Sequence, residues 1–284
     1  MSAEPMATWV LLRGLTRESG HWGEFPALFA RALEAQQPHV RVLTLDLPGN
    51  GVLYRQASPS RVAGMVAACR DELARRGIHE PVYMLSMSLG GLVASEWVAR
   101  YPSEVAGTVL INTSLRPYSP WLRRLRPLNY WRLLTLGLMR SVGVRWCEAH
   151  VLRLTSRMVR EPRPVLESWV ALQRQHPVGL GNGLRQLLAA MRYRASRGKP
   201  SVPTLLLCSQ ADSLVDWRCS QALSRAWGVP LRLHTQAGHD LPLDDPAWVA
   251  RAVCDWLHTL RMHAGTGVGV GRPSLLAQGQ VAWR

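Results

Sequence analysis

Short apolar runs alternate with longer amphipathic stretches along most of this chain. The apolar runs are typical of buried strands and lie at residues 8–12, 40–45, 81–85, 107–111, 203–208 and 230–235. Apolar residues at helical spacing fill the stretches between them, at residues 25–35, 59–75, 89–100, 217–227 and 246–261. Strands that alternate with helices in this way predict an α/β fold, in which helices cover both faces of a mostly parallel central sheet.

The alternation is interrupted once, between residues 116 and 199, and resumes afterwards. We therefore predict a core built from residues 8–115 and 200–262, with an insertion at residues 116–199. Beyond the last predicted helix, glycine alternates with other residues at 265–271, and neither a helical nor a strand period is present. Residues 263–284 are accordingly predicted to form a disordered tail.

Positive charge is concentrated in the insertion at residues 116–199, which we call the basic segment. The whole chain has a formal net charge of +15, and the basic segment alone carries 17 basic and three acidic residues. Lys199 is the only lysine of the chain. A GC-rich genome would explain the choice of arginine over lysine, but it would not gather the charge in one segment. The concentration of charge therefore needs an explanation of its own.

Three interpretations of the basic segment remain open, because arginine is mixed there with tryptophan and leucine, as at residues 121–126 and 130–134. The first is a solvated helical surface on which arginine stems cover apolar groups. The second is contact with an anionic membrane surface. The third is docking of an acidic carrier protein or an anionic acyl substrate. Nucleic acid is not expected as a partner, because no nucleic-acid-binding motif accompanies the charge.

The amino terminus and the cysteines argue against several other classes of protein. Residues 1–5 are polar and lack the layout of a signal peptide, and no apolar run approaches the ~20 residues that span a bilayer. We therefore expect a cytoplasmic protein, peripheral to the inner face of a membrane if the second interpretation holds. The five cysteines are scattered and include no CxxC pair, so neither a disulfide framework nor a zinc site is predicted. We expect no metal and no cofactor.

The most informative motif lies where the third predicted strand gives way to a helix. The sequence there is Ser86-Met87-Ser88-Leu89-Gly90-Gly91, with small residues two positions either side of Ser88. This spacing is typical of a nucleophile elbow, a tight turn that lifts a serine hydroxyl clear of the sheet. Ser88 is therefore the predicted nucleophile. Ser86 is the alternative, but it lies on the strand side and has Met84 two positions before it.

A candidate acid and a candidate base follow in later loops. Asp212 comes after the fifth predicted strand, and His239 comes after the sixth. His239 is predicted to take the proton from Ser88 and to return it to the leaving group. Asp212 is predicted to orient the imidazole and to stabilise its charged form. Asp216 is the competing carboxylate, but it is better placed to cap the helix that follows.

Serine catalysis also needs two backbone N–H groups aimed at the developing negative charge, an oxyanion hole. Leu89, directly after the nucleophile, is predicted to supply one of them. The loop after the first strand contains Arg13-Gly14-Leu15, and the N–H of Leu15 is predicted to supply the other. Two interpretations of the Leu15 side chain are equally good: it reaches the substrate, or it packs in the core.

These motifs resemble those of the α/β-hydrolase superfamily, and the resemblance covers residues 8–262. The chain order Ser88, Asp212, His239 is the order of the catalytic triad in that fold. Within the superfamily the chain is similar to the small esterase and thioesterase branch, which includes the pimeloyl-carrier-protein methyl ester esterases. The resemblance implies an α/β-hydrolase fold in which the basic segment is a helical lid. Arg13 stands where relatives often have histidine, and Ser86 stands at the usual position of glycine.

The reaction implied by the resemblance is hydrolysis of a small carboxylic ester or thioester through an acyl-enzyme. A serine at the elbow disfavours the dehalogenase and epoxide-hydrolase branches, whose members use aspartate there. Two alternatives remain open. An acyltransferase would use the same three residues with a different acceptor, and a non-catalytic protein of this fold would act through its basic segment.

Overall fold

A single parallel sheet forms the centre of the molecule. The computed structural model describes residues 7–126, 129, 131–132 and 143–265. Within them six strands pair in the order β2-β1-β3-β4-β5-β6, and every pairing is parallel. The strands are β1 (Thr8–Leu12), β2 (Arg41–Leu45), β3 (Val82–Met87), β4 (Val105–Ile111), β5 (Thr204–Ser209) and β6 (Leu231–His234). The predicted α/β class is confirmed, and each predicted strand is present with small shifts of its ends.

Helices occupy the connections between the strands. They are α1 (Phe25–Glu34), α2 (Val62–Arg75), α3 (Leu89–Arg100), α4 (Trp121–Arg124), α5 (Val144–Thr155), α6 (Pro162–Gln175), α7 (Leu180–Arg192), α8 (Arg218–Trp227), α9 (Leu241–Asp244) and α10 (Pro246–Gly265). Helix α10 extends into the predicted tail because neither proline nor glycine interrupts it before Gly265. The helix thus ends at Gly265 and not at the predicted residue 261, and residues 266–284 of the predicted tail lie outside the described part of the chain. None of the described helices is both long and apolar enough to cross a bilayer.

Alternate residues of the strands face two hydrophobic clusters, one on each side of the sheet. On one side Val10, Leu12 and Met84 pack with residues of α2, α3 and α8. On the other side Trp9 and Leu11 pack with residues of α1 and α10. Because both faces are covered, all five residues of β1 are buried and the strand reads as a continuous apolar run.

The basic segment contributes to the core as well as to the surface. Ala189 of α7 and the following Tyr193 belong to the same cluster as α2 and α3. Helices α5 and α6 pack against each other, and Trp169 of α6 is buried. The segment is therefore anchored to the sheet through its last helix.

Candidate active site

Ser88 lies at the turn between β3 and α3, in a conformation that residues with a side chain rarely adopt. Its φ is 54° and its ψ is −116°, a strained combination that persists only when the surrounding structure fixes it. The N–H of Ser88 donates to the carbonyl oxygen of Ile111, at the end of β4, over 3.0 Å. The residue is only half-buried, so it keeps access to the surface.

Close packing around this turn explains the small residues beside Ser88. A Cβ on Gly90 would lie 2.5 Å from the carbonyl oxygen of the last residue of β1, and a Cβ on Gly14 would lie 3.1 Å from the Ser88 Cβ. The loop after β1, which contains Leu15, therefore meets the elbow directly. Leu89 is the first residue of α3, and the N–H groups of a first helical turn have no partner within the helix.

Ser86 occupies a different environment from Ser88. It lies within β3, opposite Leu12 of β1 and Leu110 of β4, and its side chain is fully buried. Its Oγ makes no hydrogen bond to any described residue. Ser86 therefore has neither the access nor the neighbouring base that a nucleophile requires.

Asp212 and His239 form a buried hydrogen-bonded pair beyond the ends of β5 and β6. His239 Nδ1 lies 2.7 Å from Asp212 Oδ2, and the two side chains are 5% and 1% exposed. Asp212 Oδ1 accepts the backbone N–H groups of Leu214, over 2.7 Å, and Val215, over 3.0 Å. Both carboxylate oxygens are thus occupied, which fixes the orientation of the imidazole.

The competing carboxylate, Asp216, contacts the start of α8 and makes no hydrogen bond to His239 in the described part of the chain. Its Oδ1 accepts the N–H of Arg218, the first residue of α8, over 2.9 Å. Within the described part of the chain, the hydrogen bonds of His239 do not reach Ser88. The structure therefore joins the predicted acid to the predicted base, and proton transfer between Ser88 and His239 stays a prediction.

The pKa of His239 is raised above its ordinary value of 6.5. Burial of the imidazole lowers this pKa, but the charge of Asp212, the hydrogen bond to Asp212 and the charge of Asp240 together raise it further than burial lowers it. Arg13 acts in the opposite direction, towards a lower pKa. A histidine with a raised pKa accepts a proton readily, which suits a general base.

Asn112 is a buried residue of the site that sequence reasoning missed. It follows β4 with a φ of 47°, and its Nδ2 donates to Ser209 Oγ over 3.0 Å and to the carbonyl oxygen of His239 over 2.7 Å. Its Oδ1 accepts the N–H of Ser209 over 2.8 Å. Because the carbonyl oxygen of the preceding Ile111 accepts the N–H of Ser88, residues 111–112 connect the elbow to the end of β5 and to the loop that carries His239. Its position directly after a predicted strand was the signal that could have found it.

The basic segment contacts loops that carry predicted site residues. The carbonyl oxygen of Thr155, at the end of α5, accepts the N–H of Asp240, next to His239, over 2.7 Å. In the loop after β1, the N–H of Thr16 donates to Oε1 of Gln186, a buried residue of α7, over 2.8 Å. The segment therefore adjoins the carboxyl edge of the sheet, and its function as a lid stays a prediction.

The fold and this geometry together define a class of protein. A parallel sheet with a serine on a strained strand-to-helix turn, and a buried carboxylate–histidine pair at the same edge, is the arrangement of α/β hydrolases. The chain belongs to the alpha/beta hydrolase family, whose sequence model matches residues 9–252. The resemblance found in the sequence is thereby confirmed.

Its relatives are esterases and other hydrolases. A Cronobacter turicensis protein named "Putative carbamate hydrolase RutD" is 34% identical over 161 residues, which cover 55% of this chain and 58% of that protein. A pimeloyl-[acyl-carrier protein] methyl ester esterase of Serratia marcescens is 26% identical over 199 residues, 69% of this chain and 74% of the esterase. The match thus spans less than two thirds of the RutD relative. These relatives agree with the hydrolase predicted from the sequence.

A solved structure supports the fold independently. The esterase EaEST of Exiguobacterium antarcticum superposes with a TM-score of 0.71 over 90% of this chain and 93% of the esterase. The two sequences are 14% identical, so this likeness shows the common architecture alone.

Proposed function

We propose that this protein hydrolyses a carboxylic ester or thioester through an acyl-enzyme, with Ser88 as nucleophile. The observation that carries the proposal is the buried hydrogen bond of 2.7 Å between His239 Nδ1 and Asp212 Oδ2, at the sheet edge where Ser88 occupies the strained turn. A buried pair of this kind fixes the tautomer of the imidazole and leaves Nε2 as the proton acceptor.

In the first half of the proposed reaction, Ser88 Oγ attacks the carbonyl carbon while His239 Nε2 takes the hydroxyl proton. The carbonyl oxygen becomes negatively charged, and the N–H groups of Leu15 and Leu89 stabilise it. The tetrahedral intermediate then collapses, and the alcohol or thiol leaves with the proton from His239. The acyl group remains attached to Ser88.

In the second half, a water molecule attacks the acyl carbon and His239 accepts its proton. Collapse of the second tetrahedral intermediate returns that proton to Ser88 Oγ and releases the carboxylic acid. Asp212 keeps its negative charge throughout and stabilises the imidazolium that forms in each half.

The basic segment favours an acyl group that is presented by an acidic carrier. Arg185 and Arg192 of α7 are exposed, and so are the neighbouring apolar side chains of Leu184 and Met191. A positive surface with apolar contacts would raise the rate of encounter with an anionic partner. Because one relative is named as an esterase of an acyl-carrier protein, carrier-bound esters belong in the substrate panel beside small esters, thioesters and carbamates.

Labelling with a fluorophosphonate probe, followed by peptide mapping, tests the proposed nucleophile. We expect modification at Ser88 in the wild-type protein, and loss of labelling in Ser88→Ala and in His239→Ala. Ser86→Ala is the matched control, because it removes a serine hydroxyl two residues away and should label normally. Folded wild-type protein that resists labelling, or Ser88→Ala protein that turns over the panel at the wild-type rate, would overturn the proposal.

Acyl transfer uses the same residues and differs only in the acceptor. Added alcohols or amines would divert the acyl group from water in a transferase, and product analysis separates the two reactions. Cytoplasmic localisation and contact with an anionic membrane stay predictions of the sequence alone.

A further inference from the structure

A buried ion pair lies beside the predicted catalytic residues. Arg13 Nη1 donates to Asp240 Oδ1 over 3.0 Å, and Arg13 Nη2 donates to Asp240 Oδ2 over 2.5 Å. Their side chains are 3% and 2% exposed. The two residues are 227 positions apart in the sequence, so the pair joins loops that only the fold brings together.

Arg13 and its two partners, Asp240 and Met87, each adjoin a different part of the site. Asp240 directly follows His239, and Arg13 itself comes directly before Gly14 in the loop predicted to donate to the oxyanion. Arg13 Nη1 also lies 3.7 Å from the sulfur of Met87, the residue before Ser88. Arg13 lies in the loop predicted to form the oxyanion hole, which we call the oxyanion loop. Its guanidinium group therefore contacts both the end of β3, next to the nucleophile, and residues 235–240, which we call the histidine loop.

We propose that Arg13 is a positioning residue for the reaction, and that its two-nitrogen contact with Asp240 holds the histidine loop in register with the elbow and the oxyanion loop. The inference rests on the proposed function. Arg13 touches neither the substrate nor the reacting atoms in this scheme, since its hydrogen bonds in the described part of the chain go to Asp240 and Met87 and not to Ser88, Asp212 or His239. Through its contact with Asp240, Arg13 fixes the position of His239.

The shape of the guanidinium group makes this contact difficult to replace. A guanidinium fork fixes both the distance and the orientation of a carboxylate, whereas an ammonium group supplies a single charged point. The ring of Trp22 lies 4.8 Å from the guanidinium carbon and covers it. Catalytic groups must be held to fractions of an ångström, and a displacement of about 1 Å costs about 100-fold in rate.

Arg13→Lys is the most direct test, because it keeps the charge and removes the fork. We expect kcat to fall about 10- to 100-fold while KM changes much less, since the proposed role of the pair is to position His239 and not to bind the substrate. Arg70→Lys is the matched control. Arg70 holds Glu104 with two nitrogens over 2.8 and 2.6 Å, in an ion pair formed by α2 and the loop after α3, and its replacement should leave kcat unchanged.

The pH profile separates the positioning role from a general loss of stability. The charges that act on His239 are Asp212 and Asp240, which raise its pKa, and Arg13, which lowers it. Arg13→Met leaves Asp240 unpaired beside the imidazole and so raises the pKa of His239 further. Because unprotonated His239 is the base, activity disappears as the pH falls through this pKa, and the acid limb of kcat/KM should move to higher pH.

The double variant Arg13→Met with Asp240→Asn removes the two opposing charges together. Its acid limb should return towards that of the wild type, while kcat stays low because the contact between the loops is still missing. This variant also provides a folded protein if Arg13→Met alone is too unstable, since it leaves no unpaired buried charge.

Amide hydrogen exchange across residues 237–243 provides a readout that does not depend on hydrolysis. We expect faster exchange in Arg13→Lys than in the wild type or in Arg70→Lys. If the wild type turned over no substrate, the proposed function would fail. The exchange measurement would still test whether the contact between Arg13 and Asp240 holds the histidine loop in place. Unchanged kcat in folded Arg13→Lys would overturn the positioning role, whether or not exchange became faster.

Discussion

The arginines of the loop after β1 and those of the basic segment are used in opposite ways. Arg13 and Arg17 are buried or nearly so, and each holds a buried carboxylate, Asp240 and Glu148 respectively. Most described arginines of the basic segment are exposed; these are Arg116, Arg123, Arg126, Arg145, Arg153, Arg157, Arg160, Arg163, Arg174, Arg185, Arg192, Arg194 and Arg197. The same residue type thus serves as an internal connector in one region and as a surface charge in the other.

This difference determines what each group of charges can do. A desolvated pair is hardly screened by salt and fixes geometry, and removing one partner leaves an uncompensated buried charge. Exposed charges are screened within about 10 Å at moderate ionic strength, and single exposed pairs contribute little to stability. We therefore expect the buried arginines to affect turnover, and the exposed arginines to affect encounter with a charged partner.

Arg17 marks the place where the two regions join. Its Nη1 reaches Glu148 of α5 over 2.6 Å, and its guanidinium carbon lies 4.5 Å from the ring centre of Trp169 in α6. The loop after β1 is thus tied to the basic segment through Arg17 and to the histidine loop through Arg13. The effect of a partner bound to the basic segment could therefore be transmitted to the site through the loop after β1.

The largest effect is expected from the buried acid of the site. Asp212→Asn keeps the shape of the side chain but removes the charge that raises the pKa of His239 and selects its tautomer. By analogy with other serine hydrolases, kcat should fall about 10,000-fold, measured as steady-state hydrolysis of the best substrate in the panel. Asp216→Asn is the control, because that carboxylate accepts the N–H of Arg218 at the start of α8, and the variant should retain wild-type kcat. Equal losses in both variants would contradict the assignment.

The next effect is expected at Asn112, which links the loop after β4 to the end of β5 and to the histidine loop. Asn112→Ala removes the hydrogen bonds to Ser209 and to the carbonyl of His239, and should destabilise the protein by about 1–3 kcal/mol. The rate should fall as well, by about 10-fold or more, because the histidine loop loses a fixed contact. Urea unfolding and steady-state kinetics measure the two effects.

Asn112→Gly distinguishes the two causes of that loss. Glycine tolerates the φ of 47° at this position without strain, so Asn112→Gly removes the side-chain bonds alone. If Asn112→Gly kept the full rate and stability while Asn112→Ala did not, backbone strain would be the cause, and the hydrogen bonds would have no role in positioning His239.

The positions of the strands along the chain and the candidate catalytic residues were predictable because both follow from local patterns. Buried parallel strands produce apolar runs, and Ser88 stands in a spacing set by one tight turn. The partners of Arg13 and Asn112 were not predictable, because each contact joins residues from different loops and depends on how the sheet orders its strands. Helix α10 continues to Gly265, beyond the predicted end at residue 261, because no proline or glycine interrupts it before that residue.

The exposed arginines should affect an acidic carrier more than a small substrate. We expect kcat/KM for a carrier-bound ester to fall about 10-fold or more between low and moderate salt, because screening weakens the attraction. The same acyl group on a small alcohol should show little dependence on salt. Arg185→Glu with Arg192→Glu should reproduce the loss for the carrier at low salt. Equal salt dependence for both substrates would remove the carrier interpretation.

The smallest effect is expected at Ser86, where a buried polar group lies beside the site without a described partner. A buried hydroxyl that makes no hydrogen bond lowers stability relative to an apolar group of similar size. Ser86→Ala should therefore be neutral or should stabilise the protein by up to about 1 kcal/mol, measured by urea unfolding, with turnover unchanged. A loss of more than about 1 kcal/mol would mean that the hydroxyl is bonded in solution. Because the carboxylate of Asp212 lies at the same edge with both oxygens hydrogen-bonded, comparing Ser86 with Asp212 tests whether pairing, rather than burial near the site, is what makes a polar group matter here.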